Sequence, residues 1–233
     1  MSRRSIRLAL AGALLLVARS AEAAASIWLQ KGVSGFGVST GFGSAFGYSG
    51  GSDSLSLTLG GGYSYEGVYE LGLQVVRGFP HTVQPGDVSV ATWTIAPTIE
   101  VHPLKQSATV PISLGLRANV AFPFFSSQEL DAQGVKVSAF GYGFAAMLYR
   151  FFRLGESVGV TPAVAFGFTR MNTTFEAPTG PIDHGESIYD GALGAYFAFL
   201  DSGGRIWGLV PSVDITGNYV QASLTVGVVF AMP

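Results

Sequence analysis

The chain has 233 residues, of which 48% are hydrophobic and only 12% charged, against a charged share of about 25% in ordinary soluble domains. A net charge of −2 offers no basic face to nucleic acid. The absence of cysteine excludes disulfides, thiolate chemistry and an N-terminal lipid-bearing cysteine.

The N-terminus reads as an export signal. Arg3, Arg4 and Arg7 precede an apolar run from Leu8 to Ala18, and Ala21-Glu22-Ala23 places small residues where a signal peptidase reads, so cleavage is expected near Ala23. Losing residues 1–23 removes Arg3, Arg4, Arg7, Arg19 and Glu22 and takes the net charge from −2 to −5. No apolar run reaches the roughly 18 residues of a membrane helix, so if the protein spans a membrane it does so as a barrel.

Residues 24–233 carry one pattern throughout and read as one domain. Alternation of period two marks ten strands, at about 32–48, 54–65, 67–78, 88–101, 109–121, 135–150, 157–170, 187–200, 205–215 and 219–231. One parity is bulky and apolar: Phe36, Val38, Phe42 and Phe46 in the first strand, Leu55, Leu57 and Leu59 in the second, Val158, Val160, Val164, Phe166 and Phe168 in the seventh. The other parity is Gly, Ser, Ala and Thr, as in Gly35, Gly37, Ser39, Gly41 and Gly43. A soluble sheet would fill its wet face with Lys, Glu and Asp. Here the bulky face suits lipid and the small, weakly polar face suits the inside of a barrel, with Leu57 and Leu114 near the midplane.

Alternate connections are longer, at 49–53, 79–87, 122–134 and 171–186, and those between them shorter, at 66–67, 102–108, 151–156 and 201–204. That asymmetry belongs to outer-membrane barrels, with short periplasmic turns and longer outer loops. Pro97, Pro111, Pro162 and Pro211 fall inside these strands and imply bulges or ladder gaps, because a closed barrel has no edge on which to hide a missing donor.

A signal peptide, an even number of alternating strands and the closing stretch Thr225-Val226-Gly227-Val228-Val229-Phe230-Ala231-Met232 resemble the small outer-membrane β-barrel family, OmpA-like or OmpX-like in style and without a periplasmic domain. The resemblance implies that Thr225, Gly227, Phe230 and Met232 form the signal taken up by the barrel assembly machinery. The chain ends in Met232-Pro233 where that family usually ends in an aromatic residue. No catalytic motif is carried across.

Little else in the chain suggests chemistry. Three G-x-S-x-G strings, at 37–41, 47–51 and 155–159, do not lead from a strand into a helix as a nucleophile elbow requires. His81, His102 and His184 fall in connections without metal spacing. The run Asp183-His184-Gly185-Glu186-Ser187 gathers a base, two acids and a hydroxyl in the longest loop, the one feature favouring a lipid or peptide hydrolase; outer loops 122–134 and 171–186 would serve a surface adhesin.

Charges on the lipid-facing parity occur only at strand ends: Arg77, Lys136 and Arg170 on the loop side, Arg150 and Arg205 on the turn side. They are read as interface anchors, with the first three also placed to meet lipopolysaccharide phosphates. Inward charges are Glu70, Glu100, Arg117, Asp190 and Asp214, with the two aspartates near each other across the 201–204 turn. The expectation is an all-β, single antiparallel transmembrane barrel of about ten strands. It would be non-enzymatic, structural or a narrow pore, and monomeric, without cofactor or metal, its partners being outer-membrane lipid, lipopolysaccharide and the assembly machinery. Ser26–Lys31, with Ile27, Trp28 and Leu29, could fold back to plug the periplasmic mouth.

Overall fold

A computed structural model describes residues 25–47, 54–80, 90–178, 180–216 and 219–232. Residues 1–24, His81 and Pro233 lie outside that set, and with them the export signal. Strands β1 (Ser34–Gly47), β2 (Ser54–Tyr65), β3 (Tyr69–Pro80), β4 (Ala91–Leu104), β5 (Ser113–Ser126) and β6 (Lys136–Tyr149) follow one another, then a two-residue β7 (Phe152–Arg153). The rest are β8 (Val158–Ala177), β9 (Gly180–Leu200), β10 (Arg205–Thr216) and β11 (Tyr219–Met232).

Each long strand pairs antiparallel with its sequence neighbours. The ring closes through β1–β11, from Ser34↔Met232 to Gly47↔Tyr219, and through β6–β8, which leaves β7 as a short addition on the end of β8. Ten strands therefore form a closed barrel without an edge strand along its wall, so that each long strand has a partner on both sides.

The parity read from the sequence holds strand after strand. Phe36, Phe42, Leu59, Leu71, Trp93, Phe144, Phe166 and Leu193 stand exposed on the outer wall, Leu71 and Phe166 each at 64%. Ser56, Thr58, Thr92, Thr94, Thr161 and Thr225 are buried on the inner wall. Exposed apolar side chains ringing a polar interior are the reverse of a soluble core, and hydrocarbon is the solvent in which that arrangement is stable.

Of Pro97, Pro111, Pro162 and Pro211, two fall at gaps in a ladder. The β4–β5 ladder skips Ala96 and Pro97, and the β9–β10 ladder skips Val210 and Pro211, each without a change of register. Pro162 stays in register with Ala195, and Pro111 lies before β5 begins. The one register shift of β4–β5 falls between Val101 and Leu104, at Pro103 of β4.

Two outer connections differ from expectation. Residues 171–186 are a hairpin and not a loop: β8 and β9 stay in register from Val158↔Phe199 to Ala177↔Gly180, well beyond the last β9–β10 pair, Thr216↔Asp190. Gly180, at φ +114°, supplies the turn conformation that few side chains tolerate. In 122–134, β5 runs on to Ser126 and a one-turn helix follows at Gln128–Ala132, its cap the Ser127 hydroxyl accepting from the Leu130 amide at 3.4 Å. Leu130 then buries beside Val90. On the opposite rim the turns are 66–68, 105–112, 150–157 and 201–204.

Candidate functional site: the lumen and its plug

The N-terminal segment enters the barrel. Ile27, Trp28 and Leu29, in and after the helical turn Ala25–Trp28, are buried in one apolar cluster with the inward-facing Met147, Tyr149, Tyr196, Val210 and Val229 of β6, β9, β10 and β11. The Trp28 ring meets Tyr196 edge-on at 6.3 Å. Small residues make the room: a Cβ on Gly208 would collide with the Trp28 indole, and one on Gly35 would lie 3.0 Å from Leu29 Cδ1. The segment is tethered below by Gly32 N–H donating to Glu66 O at 2.9 Å, and from the side by Lys105 Nζ donating to Leu29 O at 3.2 Å. Burial lowers the Lys105 pKa to about 8, with Glu100 and Glu70 opposing that shift.

Above the plug the inner wall carries a buried polar chain. Arg117 Nη2 and Nε reach Glu100 Oε2 at 2.7 and 2.8 Å, a two-pronged contact across the β4–β5 pair Glu100↔Arg117. His102 Nε2 lies 2.8 Å from Glu100 Oε1, and its Nδ1 2.8 Å from the Tyr149 hydroxyl. With Nε2–H given to the carboxylate, Nδ1 accepts the phenol proton. Glu70 faces Glu100 from the neighbouring strand. His102 is therefore not in a connection: β4 runs three residues past the expected end at 101, and the ring is 1% exposed.

A cavity of about 120 Å³ sits beside this chain, with Glu100 and Arg117 on one side and Asp190 and Asp214 among its lining. Asp214 is opposite Ala192 and Asp190 opposite Thr216, so the two carboxylates are diagonal neighbours on one face. Gly167, Ala163, Ala165 and Gly194 leave the space. All five expected lumen charges thus face inward, and the structure brings together two groups of them. His102, Tyr149 and Lys105 join that set: the extra length of β4 turns His102 inward, Tyr149 falls on the inward parity of the strand expected at 135–150, and Lys105 follows the end of β4.

The outer-wall cations are placed as follows. Arg77 stands over the Trp93 and Phe79 rings at 4.9 and 5.3 Å. Arg150 lies 5.0 Å over Phe152. Arg170 is not at a strand end, because β8 continues to Ala177; its Nη1 donates to Ser187 Oγ at 2.9 Å. Arg205 pairs with Asp201 at 2.7 Å, and Trp207 Nε1 donates to the same carboxylate at 3.1 Å. Lys136 starts β6 opposite Glu176. Of the expected assembly signal, Thr225 and Gly227 face the lumen, while Phe230 stacks on Phe36 at 4.8 Å. Met232 stands opposite Ser34.

The cluster around His184 does not assemble. On β9, alternate residues face opposite sides, so His184 and Glu186 share one face while Asp183 and Ser187 share the other. Asp183 accepts from Thr174 Oγ1 at 2.7 Å and Ser187 accepts from Arg170. Among the described residues no group of side chains has metal-binding geometry.

A closed antiparallel barrel of ten membrane-length strands, apolar outside and small and polar within, has the fold of a transmembrane β-barrel. No protein-family model and no curated protein matches the sequence. Solved structures do match, at low identity. The β domain of the Bordetella autotransporter BrkA is 12% identical over 86% of this chain and 100% of its own, with a TM-score of 0.53. The attachment invasion locus protein Ail of Yersinia pestis is 9% identical over 87% and 100%, with a TM-score of 0.41. The outer-membrane protease OmpT of Escherichia coli is 9% identical over 86% and 95%, with a TM-score of 0.42. The likeness is one of fold.

Proposed function

We propose that this chain is a non-enzymatic barrel of the Gram-negative outer membrane, exported by residues 1–23, whose lumen is a narrow path held shut by its own N-terminal segment. The observation that carries the reading is the burial of Ile27, Trp28 and Leu29 against inward residues of four strands. With those side chains removed, the small inner faces of β1, β2, β6 and β8 would leave a water path bordered by Asp190 and Asp214. An acidic pair at a constriction raises the barrier for anions more than for cations. The separation of His184 from Ser187 across the two faces of β9 speaks against a hydrolase.

Bilayer recordings of residues 24–233 and of the same chain lacking residues 24–31 test this. Silence from the first and a small cation-selective current from the second are expected, with selectivity reduced when Asp190 and Asp214 both become Asn. Silence from both chains would reduce the protein to a structural barrel.

A further inference from the structure

Arg77 is held differently from Arg170 and Arg205. Arg170 gives a hydrogen bond to Ser187 and Arg205 is held by Asp201, whereas among the described residues no carboxylate or carbonyl partners Arg77. Two aromatic rings hold it instead. Trp93 is its direct cross-strand neighbour and Phe79 lies two residues farther along its own strand, on the same outer face.

A basic side chain that merely snorkels would extend past these rings to water. Here the guanidinium carbon lies over both rings, 4.9 Å from the centre of Trp93 and 5.3 Å from that of Phe79, near the outer end of β3. Stacking occupies the face of the group and leaves its N–H edge without a protein acceptor.

The same residue closes the head of a groove. A recess of about 270 Å³ on the outer wall is lined by Leu57, Leu59, Val75, Arg77, Phe79 and Trp93. Register orders it: Leu57 is level with Arg77, and Leu59 with Val75 lies one step toward the middle of the barrel. The site is therefore cationic at its rim and apolar below, the profile of an anionic amphiphile standing with its head outward.

We propose that this groove binds one anionic, phosphate-bearing membrane lipid, its phosphate on the Arg77 guanidinium and an acyl chain along Leu57, Leu59 and Val75. The proposal rests on the membrane-barrel reading. A planar guanidinium can give a phosphate two parallel N–H donors, while the rings fix its orientation and exclude water from one side. Arg150, also held by an aromatic ring but on the opposite rim, serves as the internal control.

The test is native mass spectrometry of residues 24–233 in detergent, titrated with phosphatidylglycerol, with phosphatidylcholine of the same chains, or with inorganic phosphate. One phosphatidylglycerol should be retained per barrel under conditions that strip phosphatidylcholine. Arg77→Gln should weaken that retention about tenfold, Arg77→Lys by less and Arg150→Gln not at all. Equal retention of the two lipids, an unchanged Arg77→Gln, or an equal loss in Arg150→Gln would overturn the proposal. Phosphate bound as tightly as the lipid would remove the groove from it. A chain that shows no β-sheet circular dichroism and no heat-dependent gel shift in detergent would instead overturn the barrel reading, and the lipid site with it.

Discussion

Trp28 and Gly208 fit as plug and notch: the indole occupies the space in which any Cβ on residue 208 would sit. The ring is rigid and lies in one buried cluster with Tyr196 and Val210, so a side chain at 208 forces it out of its present position. Gly208→Ala should therefore displace the plug without touching the outer wall. In a Trp93→Phe, Trp207→Phe background, which leaves Trp28 as the sole indole, the substitution should raise both quenching by a water-soluble quencher and conductance. A Gly208→Ala barrel that stays silent, with Trp28 still protected, would show that the contact does not hold the segment in place.

The polar chain above the plug makes a stability prediction. Glu100 is almost wholly buried and receives both prongs of Arg117, whose side chain is 24% exposed. Glu100→Gln leaves a guanidinium facing a neutral amide in a confined lumen, and breaking a buried pair typically costs about 3–5 kcal/mol, the lower end applying where one partner still meets water. Urea unfolding in micelles should register a loss of about 3 kcal/mol, against little change for Glu156→Gln in the 150–157 turn. A loss below about 1 kcal/mol would mean that the pair is incidental to the fold.

The wall was legible because barrel physics writes the same rule on each strand, bulky side chains toward lipid and small ones inward, and no tertiary accident overrides a period of two. Gly35 and Gly208 were visible as members of the small parity, but not as parts of a notch, since that depends on which strands the ring closure brings around Ile27–Leu29. Strand ends were the weaker part of the reading. Asn172, Thr173, Pro181, Asp183 and Gly185 have loop composition, yet the continuous β8–β9 ladder holds them extended, so Arg170 moved from a strand end to mid-strand and the His184 group came apart. His102 was hidden by Pro103, which ends most strands but here follows the last inward residue of β4.

Asp201 gives a pH dependence at the turn between β9 and β10. Hydrogen bonds from the Trp207 indole, the Arg205 backbone and side chain and the Gly203 amide hold its carboxyl at about 2, below its ordinary value of 3.8. The folded state thus favours the ionised form, so its contribution is complete above the unfolded value and is lost as pH falls through 3.8 toward 2. Because the carboxylate is open to solvent, the effect should be small and sensitive to salt. The stability gap between the parent and Asp201→Asn should be present at pH 6 and narrow steadily below pH 4. A gap that stays constant down to pH 2 would mean that it does not come from ionisation of this carboxylate, and no gap at pH 6 would mean that the amide replaces these contacts equally well.

The last expectation separates lipid from lumen by one substitution on each side of the wall. The sequence placed Leu57 and Leu114 near the midplane, but Leu57 is level with Arg77 toward the outer rim and Leu114 is the second residue of β5, at the turn side. Leu59 is the better probe: it lies midway along β2, is 56% exposed, and pairs with Thr40 at the middle of β1. Lysine there must carry an ammonium into hydrocarbon, which costs about 2–4 kcal/mol at the midplane of a barrel. Ala165, on the inner face of β8, borders the cavity that Asp190 and Asp214 also line. A lysine in that position gains space and two carboxylates, so Ala165→Lys should cost less than Leu59→Lys when both are unfolded by urea from lipid vesicles. Equal costs, or a greater cost at Ala165, would mean that the outer wall does not meet lipid, and a chain left in the supernatant after membranes are pelleted would point to a soluble barrel instead.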